Sequence, residues 1–128
     1  MTISSLRFPG VNFDVSYASF RDRWPNPQTR ASGFWSYIDA RDAAIACRLA
    51  LEVKFRGHEV FIASAPNNCM TQPNLELIRK YLPQGAKIKQ VSGTHWSCVD
   101  SAKAQRILGF KPSHVWQDYL KQEQNTAS

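Results

Sequence analysis

The stretch WSYIDARDAAIACRLALE, residues 35–52, decides how the fold is interpreted. It opens with Trp35–Ile38, a segment of aromatic and β-branched residues that favours a short strand. The alanine-rich remainder favours a helix over residues 39–55. Asp39 stands at the junction, where its carboxylate can accept a hydrogen bond from the free amides of the first helical turn. Asp42 lies within that turn and complements the positive end of the helix dipole.

The predicted helix has one face of mostly small side chains. That face consists of Ala40, Ala44, Cys47 and Leu51, with Ala43 and Ala50 beside it. Apolar residues at helical spacing predict a buried face, and small ones allow close approach to another backbone. An ordinary amphipathic helix with no role in binding is the alternative. We expect Cys47, Cys69 and Cys98 to be buried, reduced thiols, which favours a cytoplasmic protein.

Outside this stretch the pattern alternates strands and helices, which predicts an α/β fold. Residues 58–63 (HEVFIA) contain four consecutive apolar residues, as expected of a strand buried on both faces. The strands are too few for a complete sheet, so we expect one incomplete domain over 1–128 whose open edges promote self-association. The expected elements are strands at Ile3–Phe8, His58–Ala63 and Lys87–Val91, a long loop over Pro9–Phe34 with a helical turn at Tyr17–Arg23, a helix from Thr71 to Leu82 with Leu75, Ile78 and Leu82 inward, a helix from Asp100 or Ser101 to Gly109, and a last helix at Val115–Gln122.

Three stretches resemble, in order, motifs of the extended short-chain dehydrogenases/reductases, the NAD-dependent epimerase/dehydratase family. Residues 35–52 are similar to the family's (F/Y)-(V/I)-(D/H)-x-x-D-x-A passage from strand to helix. Residues 3–12, ISSLRFPGVN, resemble its LRPxNVYG strand and loop. Residues 99–120, VDSAKAQRILGFKPSHVWQDYL, resemble its D-x-S-K-A-x-x-x-LG-(W/F)-x-P tail. The resemblance implies the C-terminal part of a Rossmann-like enzyme, with a small substrate-binding subdomain.

The family's catalytic groups are not present in this sequence. The six glycines do not form the phosphate-binding G-x-x-G-x-x-G turn, and no tyrosine is followed four residues later by the lysine that would activate it. The resemblance therefore implies no catalytic residue here. NAD or NADP would serve the parent enzyme, and we expect this chain alone to bind neither. A missing N-terminal half or a partner subunit would supply the cofactor site.

The resemblance also assigns candidate binding residues. Phe8, Pro9 and Gly10 match the strand end that approaches the nicotinamide, which makes them cofactor-binding candidates. Val11 and Asn12 follow on the substrate side. The family commonly carries asparagine where this chain has Gly10, and Asn12 could replace it only if the loop shifts.

The family's clamp for the substrate diphosphate is changed. Its arginines correspond to Trp35 and Gln90, and its ribose-binding aspartate corresponds to Gly93. Arg30, just upstream, is a possible replacement contact for an anion. Aromatic rings that could stack on a base or sugar lie nearby, or they could belong to the core, which is the better interpretation for Tyr37. The substrate-binding candidates are Val11, Asn12, Arg30, Trp35, Tyr37, His95 and Trp96.

Composition narrows the class of protein. The 128 residues carry a formal net charge of +6, and 43% are hydrophobic. No apolar stretch is long enough to span a bilayer, and the N-terminus does not resemble a signal peptide. The histidines and cysteines lack zinc-site spacing, so we expect no metal. The basic residues are scattered, which argues against nucleic-acid binding.

The sequence therefore predicts the substrate-binding half of a sugar-nucleotide epimerase/dehydratase-like protein. A non-catalytic module that binds a ligand or a partner is the first alternative. A basic nucleic-acid-associated domain is the second, and steep salt dependence of binding would indicate it.

Overall fold

The structure is a computed structural model that describes residues 1–84, 87–89 and 93–120. It is a small α/β fold with parallel strand pairs. In chain order the elements are β1 (Thr2–Arg7), β2 (Gly10–Asn12), 3₁₀ helices at Ala18–Asp22 and Pro27–Gly33, β3 (Tyr37–Asp39), α1 (Ala40–Glu52), β4 (Gly57–Ile62), α2 (Asn74–Tyr81) and α3 (Ala102–Leu108). Residues 116–120 are also helical.

Two parallel strand pairs organise the chain. β1 pairs with β4 in a register that runs from Thr2 opposite Gly57 to Arg7 opposite Ile62. β2 pairs with β3. Parallel strands need a crossover connection, and α1 lies on the path from β3 to β4. Because β1 and β4 point the same way, the chain leaves both strands at the same edge of the pair.

Helix α1 begins as predicted but buries a different face. Asp39 precedes the helix and accepts a 2.9 Å hydrogen bond from the Arg41 backbone amide. The buried helix residues are Asp42, Ala43 and Ala46. The predicted face of small residues is wrong, because Ala44, Cys47 and Leu51 are exposed. The reason is Asp42, whose fully buried carboxylate is held by backbone and side-chain groups of residues 113–114 and fixes the rotation of the helix.

Four other predicted elements need correction. Trp35 does not belong to a strand, because its φ is 54° and β3 starts at Tyr37, so the two rings do not share a strand face. β4 is not buried on both faces, since Ile62 is 37% exposed. α2 starts at Asn74 and buries Leu77 and Ile78, while Leu75 is exposed. Residues 87–89 form no strand, and the remainder of the predicted strand to Val91 lies outside the described residues, as do residues 121 and 122 of the predicted last helix.

Several predictions are confirmed. β1 forms where residues 3–8 predicted a strand, and a 3₁₀ helix lies within the predicted turn over 17–23. α3 ends at Gly109, whose φ of 71° is a left-handed conformation that favours glycine. Of the three unpaired cysteines, Cys69 is buried, Cys98 is half-buried and Cys47 is exposed, so burial holds fully for Cys69 only.

The core has two parts. The sheet-side cluster packs α1 and α3 on β4 and consists of Ile38, Ala43, Ala46, Phe61, Ala63, Ala104, Leu108 and Phe110. The loop-side cluster is rich in aromatic residues and consists of Tyr17, Phe20, Trp35, Tyr37, Ala65, Cys69, Met70, Leu77, Ile78, Trp116 and Leu120. Among the described residues, no helix is both long and apolar enough to cross a membrane.

Candidate functional site

Two neighbouring cavities lie where the chain leaves β1 and β4. The small cavity, about 370 Å³, is lined by Phe8, Pro9 and Gly10, which follow β1, and by residues 29–30 and 32–36. The large cavity, about 580 Å³, is lined by Ser64, Ala65 and Pro66, which follow β4, and by residues 96–102. Ligands of open parallel sheets commonly bind beyond the carboxyl ends of the strands, so this edge is the candidate functional site.

Arg30 is the charged group best placed in the small cavity. Its Nη1 atom lies 4.0 Å from the position that a Cβ would take on Gly10, so the guanidinium faces bare backbone. Arg7 also lines this cavity. No carboxylate among the described residues forms an ion pair with Arg30 or Arg7. These guanidinium groups are therefore available to an anionic ligand.

A third arginine adds to the positive charge on this side. Arg23 is half-buried, with its guanidinium 4.2 Å from the centre of the Phe20 ring. Burial lowers the pKa of Arg23, and the nearby charge of Arg30 lowers it further. Two cations close enough to affect each other would both be stabilised by an anion between or beside them.

Three serine hydroxyls form a polar group in the large cavity. The Oγ atom of buried Ser64 lies 3.2 Å from the Oγ atoms of both Ser97 and Ser101. Ser101 Oγ also accepts a 3.1 Å hydrogen bond from the Ser64 backbone amide. The remaining lining is mostly apolar and includes Trp96, with Lys89 and other polar residues beside it. An apolar cavity with a few convergent polar groups is the usual form of a small-molecule site.

The structure gathers some predicted site residues and separates others. Phe8, Pro9, Gly10, Arg30 and Trp35 line the small cavity together, and Trp96 lines the large one. The other four predicted residues, Val11, Asn12, Tyr37 and His95, line neither cavity.

Those four have structural contacts instead. Val11 pairs with Ile38 in the β2–β3 sheet and packs against the sheet-side cluster. Asn12 Nδ2 donates to the Asp14 carbonyl at 2.7 Å. His95 Nε2 lies 2.7 Å from the Thr71 carbonyl oxygen.

Tyr37 is a core residue, as the better of the two interpretations had it. Its hydroxyl donates to Asn67 Oδ1 at 2.6 Å and accepts a hydrogen bond from the Trp116 amide at 3.2 Å. Burial raises the pKa of Tyr37, so the ring carries a neutral hydroxyl over the whole physiological range. Tyr37 is therefore part of the loop-side cluster and lines neither cavity.

Two buried carboxylates near α1 are used for structure. Burial raises the pKa of Asp39, but hydrogen bonds from Arg41 and Tyr17 outweigh it and lower that pKa to about 2. Asp42 accepts from the Ser113 and His114 amides, and its Oδ1 lies 2.7 Å from His114 Nδ1. Neither carboxylate lines a cavity. Among the described residues, no group of three histidine, cysteine or acidic side chains could hold a metal ion.

Sequence reasoning counted Phe34 among the aromatic rings that could stack on a ligand, but it missed the group of three serines. Ser64 directly follows β4, so the rule that ligands bind beyond strand ends could have identified it. Ser97 and Ser101 join it only through tertiary packing, and no local signal marks them. Phe34 lines both cavities, and its φ is 54°. Phenylalanine rarely adopts this conformation, so the sequence does not predict it.

Comparison of the chain with protein-family models, with curated proteins and with solved structures gave no match in any of the three. The function therefore has to be argued from the site itself.

Proposed function

We propose that this chain is the substrate-binding portion of a Rossmann-like, NAD(P)-dependent epimerase/dehydratase-like protein that acts on a nucleotide sugar in the cytoplasm. One observation carries the proposal, namely that both cavities open at the carboxyl edge of the parallel β1–β4 pair. In open parallel α/β sheets this edge is where dinucleotides and substrates bind.

The contacts of the two cavities suit the parts of such a substrate. Arg30, without a carboxylate partner, would bind a phosphate oxygen in the small cavity. The hydroxyls of Ser64, Ser97 and Ser101 would exchange hydrogen bonds with sugar or base hydroxyl and carbonyl groups in the large one. Trp96 offers an aromatic surface for a sugar or base ring.

The cofactor would be held mainly by other chain segments. Phe8, Pro9 and Gly10 are the cofactor-facing residues that this chain would contribute, with Gly10 allowing close approach. NAD or NADP would accept or return a hydride from the substrate, and the activated tyrosine and the glycine-rich turn would come from an N-terminal half or a partner subunit. Partly exposed Ile3 and Ile62, on β1 and β4, are the apolar side chains that such a neighbour would cover.

A thermal melt of the purified chain tests this proposal. It would be recorded alone and with NAD⁺, NADP⁺, UDP-glucose and GDP-mannose. A ligand at 100 times its dissociation constant should stabilise the folded state by about 2.7 kcal/mol. We expect a nucleotide sugar to raise the melting temperature and neither dinucleotide to do so.

A matched pair of variants makes the melt specific. Arg30→Ala should abolish the shift, because it removes the guanidinium at Gly10. Arg56→Ala removes the same charge from an exposed position that lines neither cavity, and it should leave the shift intact. A melt that no nucleotide sugar moves, or equal effects of the two variants, would overturn the proposal.

The non-catalytic module remains the second candidate, because the sequence lacks a tyrosine followed by lysine four residues later. Ligand binding without hydride transfer after addition of any dinucleotide-binding partner subunit would favour it.

A further inference from the structure

Of the residues that the structure describes, Phe34 and Val99 are the two that line both cavities, and they lie at the boundary between them. Phe34 is 44% exposed, a high fraction for a large aromatic side chain. Its ring therefore gains little from burial in the core and has surface left for contact with a ligand.

The backbone at this position is strained. Phe34 and Trp35 both have a φ of 54°, so two consecutive residues with side chains adopt the left-handed conformation that glycine adopts most easily. Neighbouring contacts impose it, since the Phe34 amide donates to the Ala31 carbonyl, the Ser36 amide to the Gly33 carbonyl and the Cys69 amide to the Trp35 carbonyl.

At one of the two residues, Trp35, burial of the side chain compensates for the strained backbone. Trp35 is 1% exposed, and its Nε1 donates to the Pro27 carbonyl at 2.9 Å. Packing therefore offsets the strain at Trp35. Among the residues that the structure describes, no hydrogen bond or ring contact holds the side chain of Phe34 in this way, and the glycine next to it, Gly33, has no positive φ. A glycine at 34 would form the same turn with less strain, so the ring itself needs another reason.

We propose that Phe34 is a specificity-determining residue, whose ring lies between the two cavities and must rotate aside before one ligand, such as the proposed nucleotide sugar, can occupy both. The proposal rests on the proposed function only in treating both cavities as ligand sites. Because hydrogen bonds fix the backbone on both sides of Phe34, only rotation of the side chain can open the passage. Ligand length is then set by one ring and not by the walls of either cavity.

Two dyes test this without a nucleotide sugar. 8-Anilinonaphthalene-1-sulfonate has one aromatic unit with one sulfonate and fits one cavity, whereas its linked dimer, bis-ANS, needs both for its two halves. Binding is followed by energy transfer from the four tryptophans, of which Trp96 lines the large cavity and Trp35 the small one. In the unmodified chain we expect similar dissociation constants for the two dyes.

Removal of the Phe34 ring should change the affinity of the longer dye only. In Phe34→Ala and Phe34→Gly we expect bis-ANS to bind at least about tenfold more tightly relative to the single dye, since two linked sites then act together. Phe34→Tyr keeps the ring and should restore the original ratio. Phe13→Ala removes a phenylalanine that is 80% exposed and lines neither cavity, and it should change nothing.

The proposal would be overturned if the affinity of bis-ANS relative to the single dye were unchanged or lower in both Phe34→Ala and Phe34→Gly. Failure of both dyes to bind any variant would also overturn it, because the cavities would then not admit ligands. A raised ratio together with no response to nucleotide sugars would reject the proposed substrate and leave the role of Phe34 standing, which separates the two claims.

Discussion

The sheet-side and loop-side clusters are held together in different ways. The sheet-side cluster is built from regular elements, and its buried members are all apolar, including Phe61 and Phe110. The loop-side cluster combines residues of short helices and of β3 with residues of loops, and its rings make hydrogen bonds such as those of Tyr37 and Trp116. The stability of the sheet-side cluster therefore depends mainly on apolar volume, and that of the loop-side cluster depends also on satisfied polar groups. Both cavities lie beside the loop-side cluster.

The largest expected effect is the loss of apolar volume on the sheet side. Phe61, on β4, is fully buried in the sheet-side cluster, so Phe61→Ala should lower the free energy of unfolding by about 3–5 kcal/mol. Ile62→Ala, one residue further along the same strand and 37% exposed, is the control and should have a much smaller effect. Chemical denaturation measures both, and equal losses would show that volume does not dominate this half.

Acid should destabilise the fold by protonating Asp39, whose carboxylate accepts a hydrogen bond from Tyr17 of the loop-side cluster. The pKa of Asp39 in the folded chain is about 2, below its ordinary value of 3.8, because Arg41 and Tyr17 donate to its carboxylate. The stability that it contributes is therefore complete above pH 4–5 and is lost as the pH falls toward 2, by roughly 2 kcal/mol. Asp39→Asn should flatten this part of the pH profile, whereas Asp118→Asn, which removes an exposed carboxyl, should not. An unchanged profile in Asp39→Asn would contradict the assignment.

A single hydroxyl should matter on the loop side although no volume is lost. Tyr37→Phe leaves Asn67 Oδ1 and the Trp116 amide without their partner, which should destabilise the fold by about 1–2 kcal/mol. Tyr81→Phe removes a hydroxyl that has no hydrogen bond among the described residues and should be nearly neutral. Equal denaturation midpoints for the two variants would show that the polar contacts of Tyr37 carry little weight.

The smallest expected effect is the difference in stability between glycine and alanine, which should have opposite signs at residues 34 and 44. At residue 34 glycine relieves a positive φ, so Phe34→Gly should be more stable than Phe34→Ala by about 1 kcal/mol. In the exposed interior of α1 the order reverses, and Ala44→Gly should lose about 0.5–1 kcal/mol. Thermal melts of the three variants and the unmodified chain measure this, and a less stable Phe34→Gly would remove the argument from strain.

The same contrast explains what could be predicted from sequence. The start of α1 and the end of α3 follow local rules, since Asp39 caps α1 and Gly109 terminates α3. The rotation of α1 does not, because Asp42 is bound by residues 113–114, more than 70 positions away in the chain. In the site, Phe8, Pro9 and Gly10 were predicted through the resemblance to the family's strand end, and Arg30 was predicted as a nearby charge that could bind an anion. Ser97 and Ser101 join Ser64 only through tertiary packing, and the left-handed backbone at Phe34 depends on hydrogen bonds of its neighbours, so no local pattern predicts either.

The most direct test of the central claim is a chemical-shift map of the ¹⁵N-labelled chain titrated with UDP-glucose. We predict that the largest amide shifts fall on the residues that follow β1 and β4, at Gly10 and at Ser64 and Ala65, with smaller ones at Phe34 and Val99. Shifts confined to other surfaces, or none at saturating ligand, would contradict the claim that the carboxyl edge of this strand pair is the substrate site.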